Sequence, residues 1–390
     1  MSTITKSTVT KDDYYLYIKG SPEIMTNIYD PSTVPKNYHQ MLKKYTCMGF
    51  RVLAIGHRLV KEKEVKLERL DLEKDIVFDG FEIFENRLKP ETKAALMELR
   101  EAQIPFVMIT GDNALTASSI GFECHIFDET KKAYICHWEG DHYMLEKFHE
   151  HQLEQFEEDE VRKFATVGEI GQFIGQSNAQ LCLTGKAFNH IFDNHFEHNR
   201  AECKELLSYA KVFARAKPND KVRVISIFQE LGKTVGMCGD GANDCGALKQ
   251  AEIGLSLSQA EASISAPFTS QITNISSMVE LIKECRAGLA TNYSLFNIMA
   301  IYSLIQYNTV VIVQFFFGFP GDFHYLYWDL LGNFVFFLTF GYTGTAKKLT
   351  VEAPNCSLFT ISNLTQLMVT FVIQMSGQFL MIYGLFVYSE

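Results

Sequence analysis

A chain of 390 residues is long enough for two or three domains with cores of their own. Its formal net charge of −10 argues against nucleic acid as a general partner, because phosphate backbones need a basic surface. Nine cysteines without a CxxC pair or regular spacing suit a reducing cytosolic compartment rather than a disulfide framework.

The first residues, MSTITKSTVTKDDYY, hold no apolar run of signal-peptide type, so membrane insertion is assigned to later segments. Residues 1–290 read as soluble, whereas 295–388 are dominated by Phe, Leu, Ile, Val and Tyr. Within the soluble part, short apolar runs alternate with amphipathic helical patterns, the βαβ signature of a mostly parallel sheet. Pro90–Ala102 is an amphipathic helix leading into a strand at Ile104–Thr110, and Asp220–Leu231 leads likewise into Thr234–Gly239. Between these pairs, residues about 125–205 are polar, acidic and without a clean period, and read as an insertion or lid.

Each predicted strand ends in an acidic loop, at the carboxyl edge where open α/β sheets place ligands. The first loop is Thr110-Gly111-Asp112-Asn113, whose hydroxyl and amides suit phosphate oxygens; the same residues also make ordinary turns. The second, Gly239-Asp240-Gly241-Ala242-Asn243-Asp244, crowds two aspartates and an asparagine after an apolar strand. That density of hard oxygen donors is costly without a cation and suits Mg²⁺. Between the loops lies Ala214-Arg215-Ala216-Lys217-Pro218-Asn219-Asp220-Lys221. A lysine at the start of its helix reaches a phosphoryl group, although a single surface lysine is ordinarily a solvated charge.

Three stretches near the C-terminus, at about 295–317, 325–345 and 361–388, are long enough to span a bilayer, which takes about 20 apolar residues as a helix. Lys283 and Arg286 precede the first, and Lys347 and Lys348 follow the second, which places both flanks and the soluble part on the cytosolic side. Buried core helices of a large globular protein are the alternative.

Taken together, Thr110, Lys221, Asp240 and Asp244 resemble the second to fourth motifs of haloacid dehalogenase-like phosphotransferases. More closely, TGDN, the ARxxPxxK stretch and GDGxND resemble the phosphorylation domain of P-type ATPases. Lys19-Gly20-Ser21-Pro22-Glu23 and Gly49-Phe50-Arg51-Val52-Leu53 look like that family's nucleotide-binding segments, Glu85–Glu91 like its hinge, and Leu183–Phe188 (LTGKAF) like a recurring piece. The resemblance implies residues 1–85 as the end of an α+β nucleotide-binding domain. It implies residues 86–290 as an α/β, Rossmann-like parallel-sheet phosphorylation domain, and 291–390 as transmembrane helices. The run around Asp240 and Ala266–Ser270 looks like the type V group. Ala242 and Cys245, with Met299–Tyr307, favour its subclass B, associated with polyamine export from endosomes and lysosomes; subclass A, a dislocase of membrane helices, is the runner-up.

The roles this resemblance implies are specific. Thr110, Gly111, Asp112 and Lys221 serve the phosphoryl group; Lys19, Gly20 and Arg51 bind ATP; Asp240 and Asp244 bind Mg²⁺, with Asn243 in the same shell. Tyr302, Gln306, Asp322 and Asp329 match positions lining the polyamine path, and carboxylates with an aromatic and an amide suit a flexible polycation. The family's nucleophilic aspartate lies in a DKTGT motif, which is not among these 390 residues. The expectation is therefore a fragment that does not turn over ATP alone and whose partner is the missing N-terminal portion. A membrane-tethered phosphatase and a non-catalytic nucleotide-binding membrane protein stand as alternatives.

Overall fold

A computed structural model describes residues 1–6, 13–66, 68–85, 87–148, 161–240, 242–257, 266–315, 318–340, 342, 344–354 and 357–389. Gly241 of the second acidic loop, Asn86 of the hinge, residues 149–160 of the expected lid and the end of the first span at 316–317 lie outside the described residues. The chain divides into two units, Met1–Met97 with Pro105–Ile275, and Glu98–Ile104 with Ser276–Glu390.

The first unit begins with four antiparallel strands, β1 (Ser2–Lys6), β2 (Tyr14–Gly20), β3 (Arg51–Val60) and β4 (Val77–Phe84), in that spatial order. Helices α1 (Pro22–Met25), α2 (Tyr38–Cys47) and α3 (Arg69–Leu72) accompany them. Strand alternation decides which face is covered. Leu16 and Ile18 of β2 and Val52, Ala54 and Val60 of β3 are buried, the former pair packing with Met25, Tyr29, Tyr38 and Ile76. The intervening side chains of both strands lie on the opposite, more exposed face.

Helix α4 (Glu91–Glu101) leads to β5 (Met108–Ile109), which α5 (Ala114–Glu123) follows. Strands β6 (Ala133–Glu139), β7 (His142–Phe148), β8 (Val161–Phe164), β9 (Gln180–Thr184) and β10 (Ala210–Ala214) join β5 in one six-stranded sheet. Its order is β5-β10-β9-β6-β7-β8. The pairs β5–β10, β10–β9 and β9–β6 are parallel, as βαβ alternation predicts. The pairs β6–β7 and β7–β8 are antiparallel, so the sheet is mixed rather than uniformly parallel. The reason is local: Glu139 pairs with His142 across Gly140 (φ 54°) and Asp141 (φ 68°), a two-residue turn with both φ positive. That turn matches the twist of paired strands and favours glycine and aspartate.

The described part of residues 125–205, read from the sequence as an insertion or lid, is built into the main sheet and its core. It supplies β6, β7, β8 and β9 and the helices α6 (Val167–Gln176) and α7 (Gly185–Asn194), and α8 (Arg200–Tyr209) begins there. Leu181, Leu183, Ile170, Ile174, Phe188 and Ile191 from this stretch form the centre of the main core. All five residues of β9 are buried, and a strand covered on both faces shows no alternation to read.

Helix α9 (Pro218–Glu230) connects β10 to β11 (Gly236–Gly239), and α10 (Cys245–Gln250) connects β11 to β12 (Ile253–Ser256). With β13 (Phe268–Thr269) these strands form a parallel three-stranded sheet in the order β11-β12-β13. Val224 and Ile227 of α9 belong to the core of the six-stranded sheet, against which Ile109 also packs. Ile225 instead packs in a separate cluster with Val222 of the same helix, Ala247 of α10 and Met237 of β11. Helix α9 therefore serves both sheets, in which β5 and β11 are edge strands.

In the second unit, α11 (Ser276–Phe315) is a 40-residue helix and begins well before the predicted start at 295. Its length is about 60 Å, twice the roughly 30 Å of a hydrocarbon core, and its first turns form a polar end. Glu280, Lys283, Glu284 and Arg286 occupy that polar end. There Lys283 is nearly buried, pairs with Glu98 at 3.0 Å and Glu280 at 3.2 Å, and Glu98 also accepts from the Leu349 amide at 3.1 Å. Burial works against the charge of Glu98, but the Lys283 and Leu349 bonds hold its carboxyl below the usual range.

The second apolar stretch is helical from Asp322, earlier than predicted, and runs to Phe340. It comprises α12 (Asp322–Tyr327), a π-helical turn at Trp328–Asn333 and α13 (Phe334–Phe340). The third, α14 (Ile361–Ser389), is continuous. By length and composition, α11 and α14 are long and apolar enough to cross a membrane. Among the described residues, the middle stretch is not a single helix of that kind.

Candidate functional site

The loop after β5 is fastened to the segment after β10 by main-chain bonds. Thr110 donates its amide to the Phe213 carbonyl at 2.8 Å, Ala216 to Thr110 at 2.9 Å, and Arg215 to Asp112 at 2.9 Å. Thr110 Oγ1 accepts from the Asp112 amide and donates to Asp112 Oδ2, both at 3.1 Å. Gly111 lies against the Ala216 carbonyl. Asn113 Oδ1 caps α5 by accepting from the Leu115 amide at 2.9 Å. The loop therefore opens onto a helix N-terminus, which favours anionic ligands.

The two segments expected to hold nucleotide meet this loop. Arg51, at the start of β3, has its Nε 3.9 Å from Asp112 Oδ1. Glu23, from the Lys19-Gly20-Ser21-Pro22-Glu23 turn, accepts from Asn113 Nδ2 at 2.6 Å and from Arg215 at 2.9 Å. Ser21 also donates to its carboxylate. Burial opposes the charge on Glu23, yet these bonds and the Arg215 cation keep its carboxyl below the ordinary range. Arg215 itself sits at φ 54°, a left-handed conformation that costs a non-glycine residue of order 1 kcal/mol. Lys19 extends from β2 toward Glu82 at 4.0 Å, and Gly20 closes that strand.

A second group forms at the start of α9 and the end of β11. Lys221 Nζ pairs with Asp244 Oδ1 at 2.6 Å, with 14% and 10% of the two side chains exposed. Asp220 fixes the helix start, accepting from the Lys217 amide at 2.8 Å and from Asn189 at 3.0 Å. A Cβ on Gly239 would stand 2.7 Å from Asp244 Oδ2, so the close return of this loop requires glycine. Asp240 and Asn243 are exposed beside it. Burial, together with the Asp240 and Asp244 carboxylates, pushes the Cys238 thiol up to about 11.

These donors bear on the expected Mg²⁺. Among the described residues, no group of three or more His, Cys, Asp and Glu side chains converges as a metal cage. Asp244 is already neutralised by Lys221, whereas Asp240 presents an exposed carboxylate in a negative loop. That set fits a cation held by one or two carboxylates and completed by phosphate and water oxygens, the usual manner of Mg²⁺.

In the second unit, Tyr302 of α11 donates its hydroxyl to Asp329. Asp329 sits in the π-helical turn, a geometry common at functional sites. Gln306 lies one turn along α11 from Tyr302, and Asp322 opens α12. Sequence reasoning named Glu23, Asn113 and Arg215 only as parts of motifs. Their mutual bonding joins positions up to 192 residues apart and has no local signal.

No protein-family model matches the chain. The vacuolar cation-transporting ATPase YPK9 of Saccharomyces cerevisiae is 33% identical over 395 residues, covering 97% of this chain and 26% of that protein. The polyamine-transporting ATPase 13A3 of Mus musculus is 34% identical over 381 residues, covering 93% of this chain and 31% of that protein. The probable cation-transporting ATPase 13A5 of Homo sapiens is 36% identical over 353 residues, 88% of this chain and 29% of its own length. The chain thus spans about a quarter to a third of these relatives.

Proposed function

This chain is a homologue of one part of the type 13A (type V) P-type ATPases, and from that premise we propose that it forms the phosphoryl-handling and substrate-path portion of an ATP-driven cation pump. The observation that carries the reading is the meeting of the Thr110 loop with Arg51 and the Glu23 turn, alongside the Lys221–Asp244 pair. Thr110 and the amides around Gly111 receive phosphoryl oxygens, and Lys221 neutralises their charge. Asp244 acts on Lys221, holding its ammonium in place. Lys19, Gly20 and Arg51 hold ATP, with Asp240 and Asn243 left to hold Mg²⁺. Bound there, the cation would neutralise phosphate charge.

The acceptor aspartate of such a reaction is not among these residues, so the chain by itself binds nucleotide without forming a covalent phosphoenzyme. The portion carrying it completes the site. Strands β5 and β11 are each an edge strand of their own sheet, and each is followed by one of the two acidic loops, which supports a site completed by further chain.

For the transported species we favour a polyamine, at an endosomal, lysosomal or other endomembrane, in a multi-pass protein with its soluble part cytosolic. The name of the 13A3 relative and the Tyr302–Asp329 contact support this. A carboxylate inside an apolar segment is costly unless it serves a ligand or a partner. The test is Asp329→Asn in a complete pump carrying this segment. Polyamine-stimulated ATPase is expected to fall about tenfold or more, the scale of one lost charge-assisted contact. Unchanged stimulation would remove Asp329 from the path.

A further inference from the structure

The segment between β10 and α9 is held from two sides. On one side its Arg215 and Ala216 amides donate to the Asp112 and Thr110 carbonyls. On the other lies the first turn of α7, where a Cβ on Gly185 would stand 2.5 Å from the Arg215 carbonyl oxygen. That approach requires glycine, and it brings the following turn of α7 against the start of α9.

Asn189 stands on that following turn, on the same face as Gly185. Its Nδ2 donates to Asp220 Oδ1 at 3.0 Å, and its Oδ1 accepts from Arg223 Nη1 at 3.4 Å. A carboxylate at the nitrogen and a cation at the oxygen fix the orientation of the amide. Arg223 is anchored in turn by Asp193 of α7 at 2.7 Å. Asp220 is 7% exposed, and its other oxygen accepts from the Lys217 amide at 2.8 Å. One carboxylate oxygen therefore secures its own helix start and the other secures α7. The next residue, Lys221, donates its amide to the Lys217 carbonyl at 3.2 Å and carries its ammonium to Asp244.

We propose that Asn189 is a positioning residue for phosphoryl transfer, fixing through Asp220 the first turn of α9 from which Lys221 presents its ammonium. The assignment rests on the reading of Lys221 as the group that neutralises phosphoryl charge, and adds the residue that sets its place. The bonds of Asn189 go to α9 and not to the strands carrying Lys19 and Arg51, so it acts on transfer rather than on ATP affinity.

The test is phosphoenzyme formation from γ-labelled ATP by a complete pump carrying this segment. Asn189→Asp sets two carboxylates face to face. It is expected to slow formation at saturating ATP about tenfold, within the range that misplacing a group remote from the chemistry brings. The ATP concentration at half-saturation should stay at the parental value, and Asn189→Ala, which only removes the donor, should show the same split. Adding Asp220→Asn to Asn189→Asp restores the bond with its direction reversed and should recover most of the rate. Asp193→Ala, which loosens α7 without touching Asp220, should leave the rate near parental. A parental rate in Asn189→Asp, no recovery in the double variant, or an equal loss with Asp193→Ala overturns the positioning role. So does a raised half-saturation concentration with an unchanged maximal rate. The variant Lys221→Met with Asp244→Leu separates the two readings. If it forms phosphoenzyme like the parent, the role of Lys221 fails and that of Asn189 with it; if it is slow while Asn189→Asp is not, only the positioning role fails.

Discussion

Lys221→Ala should lower the unfolding free energy of the first unit by about 3–5 kcal/mol, because it leaves Asp244 buried without its cation. The pair is short, 2.6 Å, and little exposed on either side, so solvent screening does not dilute the loss as it does at a surface. The appropriate comparison is a double variant, Lys221→Met with Asp244→Leu, which removes both charges. Replacing a buried pair by apolar groups of similar size is often neutral, so this variant should recover most of the stability. Urea unfolding followed by Trp138 fluorescence, in a Trp328→Phe background, reads both. A single-variant loss below about 1 kcal/mol would place the pair among ordinary surface bridges. It would also remove the reason for assigning Asp244 to Lys221 rather than to a metal.

The second large effect concerns the stretch that reads as a lid. Phe188→Ala should cost about 3–5 kcal/mol, the range for emptying a buried aromatic site. Phe188 is 2% exposed and its ring lies 4.6 Å from that of Phe192 and 5.7 Å from that of Phe213, centroid to centroid. Phe213 belongs to β10, which holds the Thr110 loop through its carbonyl, so the cavity would open directly beneath the candidate site. The same unfolding experiment measures it. A cost under about 1 kcal/mol would mean that α7 packs loosely, as a peripheral insertion does.

The contrast between Phe188 and the loops shows what the sequence could carry. The acidic loops were legible because their chemistry is local: several polar residues follow an apolar run within a few positions. Helices α4 and α9 were legible for the same reason, through one-sided apolar spacing. Strand β9, Gln180–Thr184, was not, because full burial removes alternation and leaves a short apolar run like any other. Residue range 104–110 reads as a strand, yet only Met108–Ile109 pair, since β5 stands at a sheet edge with β10 as its partner. Pro105 also lacks the amide a ladder would use. In the second unit, hydropathy found the apolar half of α11 but not its polar first turns, where Lys283 and Glu98 are paired. The π-helical turn around Asp329 and the bonding of Glu23 to Arg215 depend on contacts that no window of sequence contains.

The most direct test of the central claim is to incubate the purified chain with γ-labelled ATP and Mg²⁺, measuring nucleotide binding and acid-stable label in the same sample. Saturable ATP binding, weakened by Arg51→Ala, is expected, with no label retained after acid quench. A hydroxylamine-sensitive phosphoenzyme would contradict it, because the chain would then hold its own acceptor carboxylate, and absence of ATP binding would contradict the nucleotide site itself.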